Sequence, residues 1–286
     1  MLHRNIITEI KLKFDLLTKS EKKIADYVLN NAPKVLFLSI TDLADACGVG
    51  DTSVFRFCKT LKLRGYQEFK MLLSLSLDKS NGNGEHGQDV IKITNEKEAS
   101  LIEQVYAVNV AALNETMSLI RTDSISEAVD MLIQSQEIYF FGVGSSLYSA
   151  LEAMSRFLRI TSKVRCFEDS HMQSMAASMM NKDHTAIVIS YSGATKDSLN
   201  CASLAKDNGA KVIAITRHLK SPLTAYANIT LQCGNNEDPL QGGAISTKIS
   251  QLFIIDLLFT EYFHRSPKIS KENRKKTSSS VLDKMM

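Results

Sequence analysis

The pattern of apolar and polar positions changes character partway along the chain. Up to about residue 80, apolar residues recur every three to four positions, as on helices with one buried face. Thr18-Lys19-Ser20-Glu21 opens one such stretch with a capping box. Ile24, Ala25, Val28 and Leu29 share its face, and Pro33 prevents a continuous helix beyond. Ser39-Ile40-Thr41-Asp42 opens a second, short helix carrying Leu43, Ala44 and Ala46 and ending at Gly48; a third is predicted from Asp51 to about Leu61. Residues 96–120 again have helical spacing, and Ser124-Ile125-Ser126-Glu127 predicts a further capped helix. From about residue 136 the apolar residues form unbroken runs alternating with helical segments. The predicted strands are Glu137–Phe141, Lys163–Phe167, Ala186–Ser190, Lys211–Thr216 and Asn228–Leu231, with helices at 147–159, near 171–180, after 195, and at 245–263. Runs without a polar break belong to strands covered on both faces, and strand–helix alternation at this spacing predicts a parallel sheet flanked by helices.

The second and third N-terminal helices have helix-turn-helix spacing. Ala44 is small where two helices cross, and four residues later Gly48 suits a turn with positive φ. Val49, Val54 and Phe57 are placed to hold the pair together. The third helix would then present Thr52, Ser53, Phe55, Arg56 and Lys59, several of them donors suited to phosphates and base edges. Arg64 and Lys70 follow as further candidate phosphate contacts. A small helical bundle without a nucleic-acid role has the same periodicity, but not the same small-residue and glycine spacing.

Two loops in the second half carry the other candidate chemistry. Ser190-Tyr191-Ser192-Gly193-Ala194-Thr195 lies between a strand and a helix. Helix N-termini have unpaired N–H groups and partial positive charge, Gly193 permits close backbone approach, and Ser190, Ser192 and Thr195 can donate to phosphate oxygens. Gly142-Val143-Gly144-Ser145-Ser146 has the same strand–loop–helix setting. It is not a dinucleotide fingerprint, because position 147 is Leu where the third glycine belongs. The two loops are therefore read together as one pocket for a small phosphorylated ligand, with no cofactor implied.

Charge adds one feature. The net charge is only +3, but residues 1–80 carry +4, 265–286 carry +5 and the middle −6. Basic ends on an acidic body suggest that one end meets a polyanion; for residues 266–286 a solvated, disordered tail is the simpler expectation. Residues 78–95, with Gly82, Gly84 and Gly87, read as a flexible linker. Five cysteines without close pairs fit neither a disulfide framework nor a metal site. No apolar run spans a bilayer and no secretory signal opens the chain, so a cytoplasmic protein is expected.

These motifs carry a family resemblance. Ile40-Thr41-Asp42-Leu43-Ala44, Val54-Phe55-Arg56-Phe57-Cys58-Lys59 and Gly65-Tyr66-Gln67-Glu68-Phe69-Lys70 resemble the helix-turn-helix domain of the RpiR family of bacterial transcriptional regulators. Gly142–Ser146 and Ser190–Thr195 resemble the two loops of a SIS domain, the sugar-isomerase fold. The resemblance implies an all-α domain at 1–77, a helical connector at 96–135, and a three-layer α/β SIS domain at 136–265. It implies a phosphosugar held by Ser146, Ser190, Ser192, Gly193 and Thr195, with Ser145 beside them. His171, in the segment Glu168–Gln173, and Lys248, after Ser246-Thr247, join the set through the resemblance alone. One departure is Gly50, where the family's motif has a Ser cap; glycine is a serviceable cap.

The function implied is a regulator whose binding to double-stranded operator DNA is controlled by a phosphorylated sugar, acting as a homodimer or higher homo-oligomer. The alternative is a sugar-phosphate isomerase or lyase, in which Glu168, Asp169 or His171 would supply the base.

Overall fold

The computed structural model describes residues 5–80, 100–234 and 243–282, which divide into two compact units, one built on the chain up to Val108 and the other on the chain from Asn109. The predicted linker lies outside the described residues except for 78–80, which belong to a helix.

The first unit is helical: α1 (Ile6–Lys13), α2 (Lys19–Val35), α3 (Ile40–Cys47), α4 (Asp51–Thr60) and α5 (Tyr66–Ser80). Both predicted capping boxes form, Thr18 with Glu21 and Ser39 with Asp42. Pro33 does not end α2. The chain kinks at Asn31 (φ −135°) and the helix resumes around the proline, which lacks an N–H to donate. Helix α1, which the periodicity reading left out, is capped by the Asn5 side chain and buries Ile6 and Ile10. Its first N–H, on Ile6, donates to Ser76 Oγ of α5 at 3.0 Å. The core joins these to Ile24, Val28, Leu43, Val54, Phe57, Phe69 and Leu73.

The second unit is built on a five-stranded parallel sheet: β1 (Glu137–Phe141), β2 (Val164–Cys166), β3 (His184–Ile189), β4 (Lys211–Thr216) and β5 (Ile229–Gln232), in the order β2-β1-β3-β4-β5. Between the strands run α8 (Ser145–Leu158), α9 (Ser170–Ser178) and α10 (Lys196–Asp207); α6 (Leu101–Leu119) and α7 (Thr122–Gln134) precede the sheet, and α11 (Ile245–Arg265) and α12 (Pro267–Ser279) follow it. The period of two decides the layers. Ile187, Ile189, Ile213 and Ile215 face a core with α7, α8 and α11. Ala186, Val188, Val212 and Ala214 face another with Cys201, Ala202 and Ala205 of α10. This is the predicted three-layer α/β architecture.

Three expectations are corrected. Of the connector expected at 96–135, the part from Asn109 belongs to the second unit: the unit boundary falls within α6, and α7 buries Ile125, Ala128, Val129 and Leu132 in the core of the sheet. Helix α7 starts at Thr122 with Arg121 as N-cap, so Ser124 lies inside it; packing of the apolar stripe overrides the local capping signal. The basic segment 266–286 is not a disordered tail over its described length. Pro267 sits at the start of α12, where its missing N–H costs nothing. Asn273 Nδ2 donates to Ile160 O at 2.9 Å and Thr277 Oγ1 to Arg159 O at 3.0 Å. These carbonyls follow the end of α8, where helices leave acceptors unfilled, so polar side chains order a segment that has almost no apolar face.

Candidate functional site

The helix-turn-helix is built as its spacing demands. Gly48 adopts φ 62°, and Val49 N–H donates to Ala44 O at 3.0 Å. Helix α4 then starts at Asp51, with Gly50 as an N-cap residue that offers no side-chain bond. Its N-terminus is tied to α3 instead, by Thr41 Oγ1 donating to Asp51 Oδ2 at 2.8 Å. Its C-terminal end is tied to α2, where Thr60 Oγ1 donates to Glu21 Oε1 at 2.6 Å. Burial raises the affinity of the Glu21 carboxyl for its proton. The hydrogen bonds from Thr60 and from the Thr18 N–H and hydroxyl outweigh that, and the carboxyl stays below its ordinary range.

Val54, Phe57 and Cys58 anchor α4, while Thr52, Phe55, Arg56 and Lys59 are exposed and Ser53 is half-buried. The Lys59 ammonium lies over the Phe55 ring at 5.1 Å and donates to Arg64 O at 3.1 Å, so the aromatic and the end of the helix form one surface with the exposed Arg64. Lys70 does not belong to it. It is buried, with Nζ donating to Leu38 O at 3.3 Å and stacked over Tyr66. Its charge goes to helix packing rather than to solvent.

The strand order sets the second site. Between β1 and β3 the order reverses direction, and the chain leaves these neighbours toward opposite faces; ligands of open α/β sheets bind in the crevice beyond the carboxyl ends at such a point. Phe141 pairs with Val188, so the loops at 142–146 and 190–195 flank that crevice. Helix α8 begins at Ser145, earlier than its periodicity predicted, which puts Ser145 and the buried Ser146 in its first turn. Thr195 is the N-cap residue of α10. Two helix N-termini therefore approach the ends of adjacent strands.

The loop after β3 is held from below. Gly193 N–H donates to Ser190 O at 3.1 Å, Leu223 N–H to Gly193 O at 2.9 Å, and Thr216 Oγ1 to Tyr191 O at 3.1 Å. Gly193 has φ 60°, and a Cβ there would lie 2.2 Å from Ser221 Oγ. Ser190 is buried with Oγ donating to Thr195 Oγ1 at 3.3 Å, and Ser192 Oγ accepts from Ala194 N–H at 3.3 Å. The loop after β1 is held by Gln173, which accepts from Gly142 N–H and donates to Gly142 O and Phe167 O. A Cβ on Gly142 would lie 2.8 Å from Ser146 O.

The two residues that the family resemblance brought in lie on α9 and α11. His171 is exposed on α9, whose N-cap is Asp169; it is the neighbouring Gln173 that reaches the loop. Lys248 lies over the Tyr148 ring at 5.3 Å and lines a cavity of about 540 Å³ between α8, α11 and Leu113 of α6. No hydrogen bond among the described residues joins either to the two loops. Gln251 links cavity to loop: it accepts from Ser149 Oγ at 2.6 Å and donates to Ser146 Oγ at 3.5 Å. The reading of the sequence missed Ser221 and Gln251. Ser221-Pro222-Leu223 is a turn signal with no hint of what it packs on, and Gln251 is one of several polar residues on the buried face of α11, beside Ser246, Thr247 and Ser250.

Among the described residues, no helix is long and apolar enough to cross a membrane. Residues 4–80 match the model of the helix-turn-helix domain of the rpiR family, and residues 131–261 that of the SIS domain. An HTH-type transcriptional regulator of Haemophilus influenzae is 32% identical over 98% of this chain and 97% of its own. The HTH-type transcriptional regulator HexR of Pseudomonas aeruginosa is 33% identical over 90% of this chain and 88% of its own. The structure of the Vibrio vulnificus NanR protein complexed with ManNAc-6P superposes with a TM-score of 0.87 at 27% identity, covering 98% of this chain and 99% of that one. With both domains matched in order along the chain, this protein belongs to the RpiR family of helix-turn-helix transcriptional regulators, with a SIS domain as its second half.

Proposed function

We propose that the second unit binds a phosphorylated sugar between the loops at 142–146 and 190–195, and that its occupancy changes the affinity of the first unit for operator DNA. The observation that carries this reading is the pair of helix N-termini, α8 and α10, at the switch point of the sheet, with Ser145, Ser146, Ser190, Ser192 and Thr195 around them. Backbone N–H groups, helix dipoles and hydroxyls suit a phosphate dianion, and Gly193 lets the backbone come close. The complex of NanR with ManNAc-6P supports a phosphosugar as the ligand class. His171 and Lys248 enter the site only if their surroundings rearrange when ligand binds.

The protein acts by binding rather than turnover. An isomerase needs a base placed at the sugar carbon. Of the candidates, Asp169 accepts from Met172 N–H as a helix cap, and Glu168 and His171 are exposed. A regulator of chromosomal DNA works in the cytoplasm, and a symmetric dimer supplies the two half-site contacts that one recognition helix cannot. The exposed Tyr148 and Leu252 on α8 and α11 support a dimer through the second unit.

A panel of sugar phosphates tests the ligand reading. A compound at 100 times its Kd stabilises the folded protein by about 2.7 kcal/mol and should raise its melting temperature, while the parent unphosphorylated sugar at equal concentration should not. Equal shifts by both would remove the phosphate from the argument, and consumption of the compound would make the protein an enzyme. For DNA, Arg56→Ala should weaken binding to a selected operator by about 1–3 kcal/mol at fixed salt. An unchanged Kd would take Arg56 out of the contact set.

A further inference from the structure

We propose that α12 is a second DNA-binding surface, one that grips the phosphate backbone without reading bases. The helix has two faces of different chemistry. Ser270, Asn273 and Thr277 lie on the inner one, with Ser270 fully buried and the other two bonded to the end of α8. Lys268, Lys271 and Lys275 recur at the spacing of one helix face, all exposed and opposite the docked side. Arg274 flanks them, also exposed. Lys276 lies on another flank and is paired with Glu272 at 2.7 Å, whereas no described carboxylate pairs with the three lysines. Docking therefore fixes a row of like charges and points it at solvent. From Lys268 to Lys275 the row spans about 10 Å, close to the rise of three base steps along one DNA strand.

The physical cost of this arrangement argues for a polyanionic occupant. Like charges at i, i+3 and i, i+4 repel one another and weaken a helix slightly, and this helix has almost no apolar burial to offset that. A phosphate backbone removes the repulsion, and release of its condensed counterions drives the contact. The second unit carries this row although the middle of the chain has a net charge of −6, so the charge is local to the helix rather than a property of the whole surface. DNA is the polyanion that a transcriptional regulator meets at every stage of its search.

The test uses the full-length protein and duplexes with and without a selected operator. Lys268→Gln/Lys271→Gln/Lys275→Gln should lower the magnitude of the slope of log K against log salt by about 2–3, at roughly 0.9 per phosphate contact, and weaken binding roughly 10–100-fold near 0.1 M salt. Both duplexes should lose affinity equally, leaving the ratio of operator to non-operator binding unchanged. The triple Lys→Arg variant should bind as wild type, because charge rather than side-chain shape carries the contact. Lys276→Gln should have little effect. An unchanged salt slope in the Gln variant, with an unchanged melting temperature, overturns the proposal. So does a loss explained by a change in oligomeric mass on sedimentation, which would make the acidic body of a second copy the occupant. Arg56→Ala, measured on the same duplexes, should lower the operator ratio without erasing the slope difference, so failure of the recognition-helix reading and failure of this one are distinguishable.

Discussion

Replacing Ser192 and Thr195 together by alanine should abolish the response of DNA binding to the sugar phosphate while ligand-free DNA binding stays intact. Each hydroxyl offers a hydrogen bond to a charged phosphate, and such bonds contribute about 1.5–3 kcal/mol each. Losing both should raise the ligand concentration for half-maximal response by at least about 100-fold, taking 1.4 kcal/mol as tenfold. The fold should lose little. Thr195 makes no capping bond with its side chain, and the local bonds of the two hydroxyls, Ser190 Oγ to Thr195 Oγ1 and Ala194 N–H to Ser192 Oγ, are both long at 3.3 Å. The measurement is operator affinity with and without ligand, for wild type and variant. A variant that responds at wild-type ligand concentrations would place the anion site elsewhere. One that loses DNA binding without ligand would make the loop structural.

Gly193→Ala should act in the opposite manner, through the fold first. The position has φ 60°, which costs an L-residue roughly 1–2 kcal/mol. The new Cβ would also lie 2.2 Å from Ser221 Oγ and 2.6 Å from Ser221 Cβ, and overpacking of this kind typically costs about 1–3 kcal/mol. A total of roughly 2–5 kcal/mol should lower the melting temperature by several degrees and displace the loop, so ligand binding falls as well. Ser221→Gly in the same chain removes both of those contacts. It should recover the steric part of the loss but not the backbone part. If Gly193→Ala melts with wild type, the loop is not pinned by Ser221. If Ser221→Gly restores nothing, the clash is not the cause.

The two variants separate chemistry from scaffold at one loop. The Ser192 and Thr195 hydroxyls are held by long bonds of 3.3 Å, whereas Gly193 is enclosed by Ser221 and Thr216. A ligand alters DNA affinity only by binding two conformations of the protein unequally. The bond of Gln251 to Ser146, and of Ser149 to Gln251, gives the pocket a route to α11, the long helix that carries the proposed dimer face. Gln251→Leu would cut that route without touching the phosphate loop.

What the sequence determined by itself was whatever depends on near neighbours along the chain. The capping boxes at Thr18 and Ser39, the left-handed Gly48 and the strands β1, β3 and β4 follow from residues a few positions apart, and the structure has them where the patterns put them. The helix-turn-helix was legible for that reason: Ala44, Gly48, Val54 and Phe57 lie within fourteen positions. Tertiary structure alone decided the rest. The order β2-β1-β3-β4-β5 brings the loops of Gly142 and Gly193 to one crevice, and no local pattern encodes strand order. Lys70 and Arg64 look alike in sequence, but Lys70 is taken by Leu38 O in the distant turn between α2 and α3, while Arg64 is left exposed. The fate of the C-terminal segment was the least legible. Its composition is that of a solvated tail, because order there comes from Asn273 and Thr277 meeting carbonyls more than a hundred residues away. Those acceptors exist only because α8 ends beside it, a fact that belongs to the folded chain and to no stretch of its sequence.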